Sequence, residues 1–331
     1  MKNRQWLLVR RPHGAIQDSD FTFVETDVPA PDEGEVLVRT LMLSCDPAQR
    51  MWLATDTYVP AVKIGEVIRS GGAGRIEASN APDFAVGDIV FGTTGWQDYA
   101  AMNPQGLNKL PPETPLELAM SVLGTNGVTA YFGLLDVGRP VAGETVVVSG
   151  AAGATGSVVG QIAKIKGCPA IGIAGGAEKC SWLTDELGFD AAIDYKSENV
   201  RVRLKELCPN GIDIYFDNVG GDILDAALAR LAMRGRVVLC GAIATYNATE
   251  PPPGPKNYIN LISRRGRMEG FIVFDYMKRA PEAIGALGGW VQEGRIKNRV
   301  DVQHGLENAP ATLRRLFEGR NEGKQLLRVA E

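Results

Sequence analysis

Histidine is almost absent from this 331-residue sequence: His13 and His304 are the only two, and neither lies in a ligand context. Both are expected at the surface. The five cysteines, Cys45, Cys168, Cys180, Cys208 and Cys240, are odd in number, dispersed and contain no C-x-x-C pair. That excludes a disulfide framework and a four-cysteine structural zinc, and fits reduced thiols in the cytoplasm. No segment approaches the roughly 20 apolar residues of a membrane span. The apolar run Trp6 to Val9, flanked by Arg4, Arg10 and Arg11, is too short for a signal-peptide core. Net charge is −4 with scattered Lys and Arg, so nothing marks a nucleic-acid or anionic-membrane partner. Only Arg264-Arg265-Gly266-Arg267 is locally basic. Internal repeats and low-complexity tracts are missing too; Pro251-Pro252-Pro253-Gly254-Pro255 is the one biased segment and reads as a stiff loop.

Against these absences stands one dense stretch, residues 144 to 176. Val146, Val147 and Val148 are a β-branched run, as expected of a parallel strand buried on both faces. Gly150, Gly153 and Gly156 follow at once. Gly153 has no Cβ to hold off a pyrophosphate, and Gly156 lets a helix pack close to the strand. The helix expected from Ser157 to Lys166 places Val158, Val159, Ile162, Ala163 and Ile165 at apolar positions, and its amino end favours an anion. Ile171 to Ala174 is the second strand. Strand, glycine turn, helix and strand make a βαβ dinucleotide-binding unit. An NAD-binding fold usually sets Asp or Glu about 20 residues after the first glycines, to hold the ribose 2′-hydroxyl. Here that place is Ala174-Gly175-Gly176, with Lys179 next, where a helix would begin. A neutral pocket beside a cation suits a 2′-phosphate, hence NADPH.

Before Pro111 the chain reads as short strands: Arg4 to Arg10, Phe21 to Glu25, Glu35 to Thr40, Val62 to Arg69, Gly74 to Ala78 and Ile89 to Gly92. Gly71-Gly72-Ala73-Gly74 is expected to be a turn. Pro115 to Leu123 and Val128 to Leu135 are helical by spacing. After the central unit, strands (Ala191 to Asp194, Ile212 to Asp217, Gly235 to Cys240) alternate with helices (Val200 to Leu207, Ile223 to Leu231, Pro281 to Gln292), which predicts a doubly wound parallel sheet. A helix from Ala309 to Glu318 and a strand from Lys324 to Val329 close the chain, the strand matching the texture of the first part. Both chain ends are therefore expected to build one β-rich unit, residues 1–125 and 299–331, with a nucleotide-binding domain, 126–298, inserted.

The chain resembles the medium-chain dehydrogenase/reductase superfamily, and within it the zinc-independent, NADPH-dependent alkenal/one oxidoreductases: prostaglandin reductases, plant 2-alkenal reductases and bacterial curcumin reductase. The marks span nearly the whole length. They include Asn3-Arg4-Gln5, Ser44-Cys45-Asp46-Pro47, Thr129-Ala130-Tyr131-Phe132-Gly133-Leu134, Asp194-Tyr195-Lys196, Phe216-Asp217-Asn218-Val219-Gly220-Gly221, Met268-Glu269-Gly270-Phe271 and Asn321-Glu322-Gly323-Lys324. The resemblance implies a Rossmann domain inserted in a GroES-like domain, and a homodimer. Cys45 stands near where zinc-dependent relatives place a first ligand, but their Gly-His-Glu is here Ile64-Gly65-Glu66, so Cys45 reads as a buried thiol. The chain also departs from the family at Thr125-Asn126, Ala48-Gln49 and Trp52-Leu53, with Trp52 adding bulk to a pocket wall.

Without a Lewis acid, reduction of an activated carbon–carbon double bond needs little from the protein: orientation, a dry pocket and a donor for the developing enolate. Three tyrosines compete for that donor, Tyr246, Tyr258 and Tyr58. Cofactor contacts implied by the resemblance are Gly153, Ala154, Thr155, Gly156, Lys179, Tyr195, Asn218, Cys240, Tyr246 and Asn321, with Phe271 and Val273 through their backbone. Lys179 and Tyr195 would flank the 2′-phosphate. Asn218 and Asn321 could equally be turn residues. An NADPH quinone reductase and a non-catalytic NADPH-binding protein are the alternatives to an enone reductase.

Overall fold

The structure, a computed structural model, describes residues 2–331. It divides into two compact units: Met1–Met120 with Val300–Glu331, and Ser121–Arg299.

The first unit opens with β1 (Lys2–Leu8) and β2 (Phe21–Asp27), paired antiparallel along their full length. Next come β3 (Val36–Ser44), β4 (Gly72–Ser79), β5 (Ile89–Gly92), β6 (Tyr99–Met102) and β7 (Asn108–Lys109). The inserted unit carries β8 (Val146–Ser149), β9 (Ala170–Ala174), β10 (Ala191–Asp194), β11 (Ile212–Asp217), β12 (Leu231–Leu239) and β13 (Arg267–Gly270). The chain then returns to the first unit with β14 (Val300–His304) and β15 (Lys324–Arg328). A second sheet there has the order β14-β15-β3-β4-β5-β7, with β6 also on β3. β15 lies antiparallel to β3, Leu326 opposite Ser44, so both chain ends share this sheet. Leu8, Leu43, Trp96, Leu313 and Leu327 are fully buried in its core, drawn from both ends of the sequence.

In the inserted unit the strand order is β10-β9-β8-β11-β12-β13, parallel throughout. This is the doubly wound order with its switch point between β8 and β11. Val146, Val147 and Val148 have no exposed surface. Burying each contributes roughly 1.5–3 kcal/mol against full exposure. The helix Ala154–Ile165 buries Val158, Val159, Ile162 and Ala163 against the sheet. It stops where Gly167 turns left-handed, φ +78°, a conformation glycine adopts without strain.

Several elements differ from the sequence expectation. The helix starts at Ala154, three residues early, with Gly153 as its extended N-cap. Gly71 to Gly74 is not a turn: Gly72 and Gly74 lie inside β4, opposite a bulge in β3. A Cβ on Gly72 would stand 2.1 Å from Thr94 Oγ1, and one on Gly74 2.4 Å from the Arg39 carbonyl. These glycines serve close approach between neighbours rather than chain reversal. Val62 to Arg69 is not a strand. Gly65, φ +87°, bends it, and only an isolated bridge joins Val67 to Leu7. Pro115 to Leu123 yields only the short helix Leu116–Ala119, and Thr125–Phe132 is the next. The helix expected to reach Leu231 ends at Leu228, and Leu231 begins β12 opposite Ile212.

Candidate active site

The carboxyl ends of β8 and β11 meet at the switch point, where ligands bind in open α/β sheets. After β8, Gly150 (φ +58°) turns the chain and Gly153 caps the helix. A Cβ on Gly153 would meet only the Gly150 carbonyl, at 3.2 Å. A Cβ on Gly156 would fall 2.4 Å from that oxygen and 2.9 Å from Ala151 Cα, which no side chain tolerates. Gly153, Ala154 and Thr155 are half-buried and Gly156 is buried. The turn therefore presents bare backbone and unpaired first-turn N–H groups, the chemistry a pyrophosphate requires.

At the end of β9, Gly175 lies under a tyrosine. A Cβ on it would come 2.9 Å from Cε1, Cζ and Oη of Tyr195. No acidic side chain stands at this strand end, and any side chain at Gly175 would have to displace the Tyr195 ring. Tyr195 itself is 46% exposed, its amide bonded to the Ala174 carbonyl. Asp194 ties the same corner, accepting from the Gly176 amide at 2.7 Å and from Lys196 and Ser197. The Gly176 N–H is the main reason its carboxyl sits below the usual range. Lys179 is half-buried on the helix Ala177–Ser181.

At the end of β11, Asn218 is held at both ends: its amide donates to Ser149 Oγ (2.8 Å) and its Nδ2 to the Ser149 carbonyl (2.7 Å). The Asp217 carbonyl accepts from the amides of Cys240 and Gly241. The segment after β12 thereby hangs from the segment after β11. Tyr246 lies on it, with its hydroxyl oxygen accepting from the Ala242 amide at 3.1 Å. Cys240 is partly buried, and its thiol is pushed up to about 12, by burial first and the Asp217 charge second. Phe271 lies edge-on to Phe216, ring centres 6.3 Å apart, and Val273 opens the turn of 3₁₀ helix that follows. Tyr258 is 58% exposed, on a segment anchored by Asn257 to Asp225.

Tyr58 and Asn321 belong to the first unit. Tyr58 is exposed and stands edge-on to Trp52 at 6.3 Å; the Trp52 Nε1 is buried with no hydrogen-bond partner. Asn321 donates through Nδ2 to the Gly323 carbonyl, a local turn contact. Nearby, the fully buried Lys324 donates to Asp46 (2.6 Å) and to the Cys45 carbonyl (3.1 Å). The Cys45 thiol beside them is buried, which pushes it up to about 12 against the pull of Lys324. His13 and His304 are exposed. Among the described residues no three His, Cys, Asp or Glu side chains gather as a metal site. Sequence reasoning named Asn218 but missed the buried Ser149, Tyr215 and Asp217 around it. Two polar residues in the otherwise apolar carboxyl half of β11 were the available signal.

Residues 4–110 match a family described as the N-terminal domain of oxidoreductase, and residues 154–287 one described as zinc-binding dehydrogenase. The NADPH-dependent curcumin reductase of Escherichia coli K12 is 45% identical over 337 residues, covering 99% of this chain and 97% of that protein. The chain belongs to the alkenal/one oxidoreductases of the medium-chain dehydrogenase/reductase superfamily. Another member, a 2-alkenal reductase (NADP(+)-dependent) of Nicotiana tabacum, is 41% identical over 338 residues, 100% of this chain and 98% of that one. Among solved structures, CurA from Vibrio vulnificus in complex with NADPH matches with a TM-score of 0.95 at 43% identity, over 99% of both chains. A Pseudomonas syringae quinone oxidoreductase (TM-score 0.79, 24% identity) shares the superfamily fold and shows no more than that. No helix among the described residues is long and apolar enough to cross a membrane.

Proposed function

We infer that this reductase uses NADPH to reduce the carbon–carbon double bond of α,β-unsaturated aldehydes and ketones. The observation that carries the cofactor choice is the end of β9, where Gly175 lies under Tyr195 with no acid to hold an unphosphorylated ribose and with Lys179 on the next helix. The curcumin and 2-alkenal reductases among its relatives support the substrate class.

Gly153, Ala154, Thr155 and Gly156 would hold the pyrophosphate on bare backbone. Lys179 and Tyr195 would take the 2′-phosphate. Asn218, Cys240 and Tyr246, with the backbone of Phe271 and Val273, would position the remainder. When bound, NADPH supplies a hydride, which the substrate accepts at its β-carbon. The protein's own task is to orient the enone, exclude water and donate a hydrogen bond to the carbonyl oxygen as it gains enolate charge. Tyr246 is our first candidate of the three for this: it follows the carboxyl end of β12, where ligands bind in open α/β sheets, and the Ala242 amide holds its oxygen. Tyr258 and Tyr58 are its competitors. Five free cysteines support a reducing, cytoplasmic setting. A second copy would join at the outer edge of β13, which pairs no further strand among the described residues.

The test is NADPH oxidation with a 2-alkenal and, separately, with a naphthoquinone, followed by product analysis. The saturated aldehyde is expected, with Tyr246→Phe lowering kcat about 10- to 100-fold. Turnover of the quinone alone would make the chain a quinone reductase. Binding of NADPH with no turnover across an enone panel would make it a non-catalytic binder.

A further inference from the structure

Asp217 is 1% exposed, and no Lys, Arg or His among the described residues pairs with it. A carboxylate buried without a cation is costly unless neutral donors saturate it. Here they do: Ser149 Oγ at 2.8 Å, the Tyr215 hydroxyl at 2.9 Å, the Val219 amide at 3.1 Å and the Gly220 amide at 3.0 and 3.1 Å to its two oxygens. Ser149 and Tyr215 have no exposed surface at all, so neither can touch a ligand.

Tyr215 bonds only to Asp217, while Ser149 and the backbone of Asp217 reach Asn218 and the segment of Tyr246. Ser149 Oγ spends its proton on Asp217 and accepts from the Asn218 amide. The Ser149 carbonyl takes Asn218 Nδ2, which rules out the flipped amide and leaves Oδ1 as the acceptor Asn218 has to offer. The Asn218 carbonyl accepts from the Ile243 amide, and the Val219 carbonyl from Ala244, three and two residues before Tyr246. A Cβ on Gly241 would lie 3.3 Å from both the Asn218 carbonyl and the Tyr246 hydroxyl.

We propose that Asp217, clamped by the hydroxyls of Tyr215 and Ser149, is the positioning residue of the cofactor groove: it holds the turn on which the Ser149 carbonyl fixes the Asn218 amide as an acceptor, and carries the segment that bears Tyr246. This rests on Asn218 facing NADPH. The cluster acts on binding only through Asn218 and its loop, never by contact.

Purified protein is titrated with NADPH by fluorescence, with thermal unfolding followed in parallel. Tyr215→Phe and Ser149→Ala each remove one hydroxyl and are expected to raise the NADPH dissociation constant about three- to tenfold. In an Asn218→Ala background Tyr215→Phe costs less than it does in the wild type, because only the route through the Tyr246 segment is left. A merely structural role would lower the unfolding midpoint and leave the dissociation constant in place, or give additive losses in the double variant; either overturns the proposal. If Tyr215→Phe does not fold, Ser149→Ala alone decides by the same criterion. Wild-type protein that fails to bind NADPH would sink the reductase reading, and this inference with it.

Discussion

Gly175 and Tyr195 show how one residue's absence of a side chain defines another's place. The ring lies over Gly175, and a side chain there would have to displace it. A neutral surface with Lys179 on the following helix remains for a doubly charged phosphate. The neutrality was legible in Ala174-Gly175-Gly176; the lid over it was not, because Tyr195 arrives from the next strand, twenty residues on. Lys179→Glu should raise KM for NADPH about tenfold or more, the scale of one lost charge-assisted contact, with KM for NADH little changed. Steady-state kinetics with both coenzymes decides; equal effects on the two would reject the phosphate contact.

Among the elements, the helix Ala154–Ile165 depends on Gly156. With its Cβ site 2.4 Å from the Gly150 carbonyl, Gly156→Ala must push the helix off β8 or open the turn. Overpacking of this kind costs about 1–3 kcal/mol. A lower unfolding midpoint and at least about tenfold weaker NADPH binding are expected, by calorimetry and fluorescence titration; an alanine variant equal to wild type in both would show the spacing to be incidental. This element was legible because glycine spacing, a valine run and an apolar helix face all agree. The elements that misled did so where tertiary demands override local signals. Gly72 and Gly74 look like a turn, but the bulge in β3 needs them in a strand. Leu231 continues a helical apolar spacing, yet the Ile212 amide bonds to the Arg230 carbonyl and draws Leu231 into β12. The short edge strand β13, with Arg267 and Glu269 among its four residues, left no apolar pattern to read. The glycine turn was visible. The Ser149–Asp217–Tyr215 cluster was not, because sixty-odd residues separate its two strands.

At the scale of the whole molecule, the chain closes its first unit only with its last strand: β15 fills the place beside β3, and Lys324 at its start bonds to Asp46. The inserted unit holds its own sheet and core. Across both units the sulfurs share one condition. Cys45, Cys168 and Cys208 are buried, Cys180 and Cys240 partly so, and burial raises all five thiols, Cys180 and Cys208 to about 11 and Cys45 and Cys240 to about 12. An enone is a Michael acceptor, and the species it alkylates is the thiolate. A protein that gathers such electrophiles from solution would be poisoned by its own diet if its sulfurs were ionised. At pH 8, Cys45, Cys180, Cys208 and Cys240 should alkylate at least about 100-fold more slowly than free cysteine. Intact-mass spectrometry after timed exposure to acrolein would show it, with five adducts only once the chain is unfolded. Rapid native adducts would mean that the protein survives its substrates by some other means.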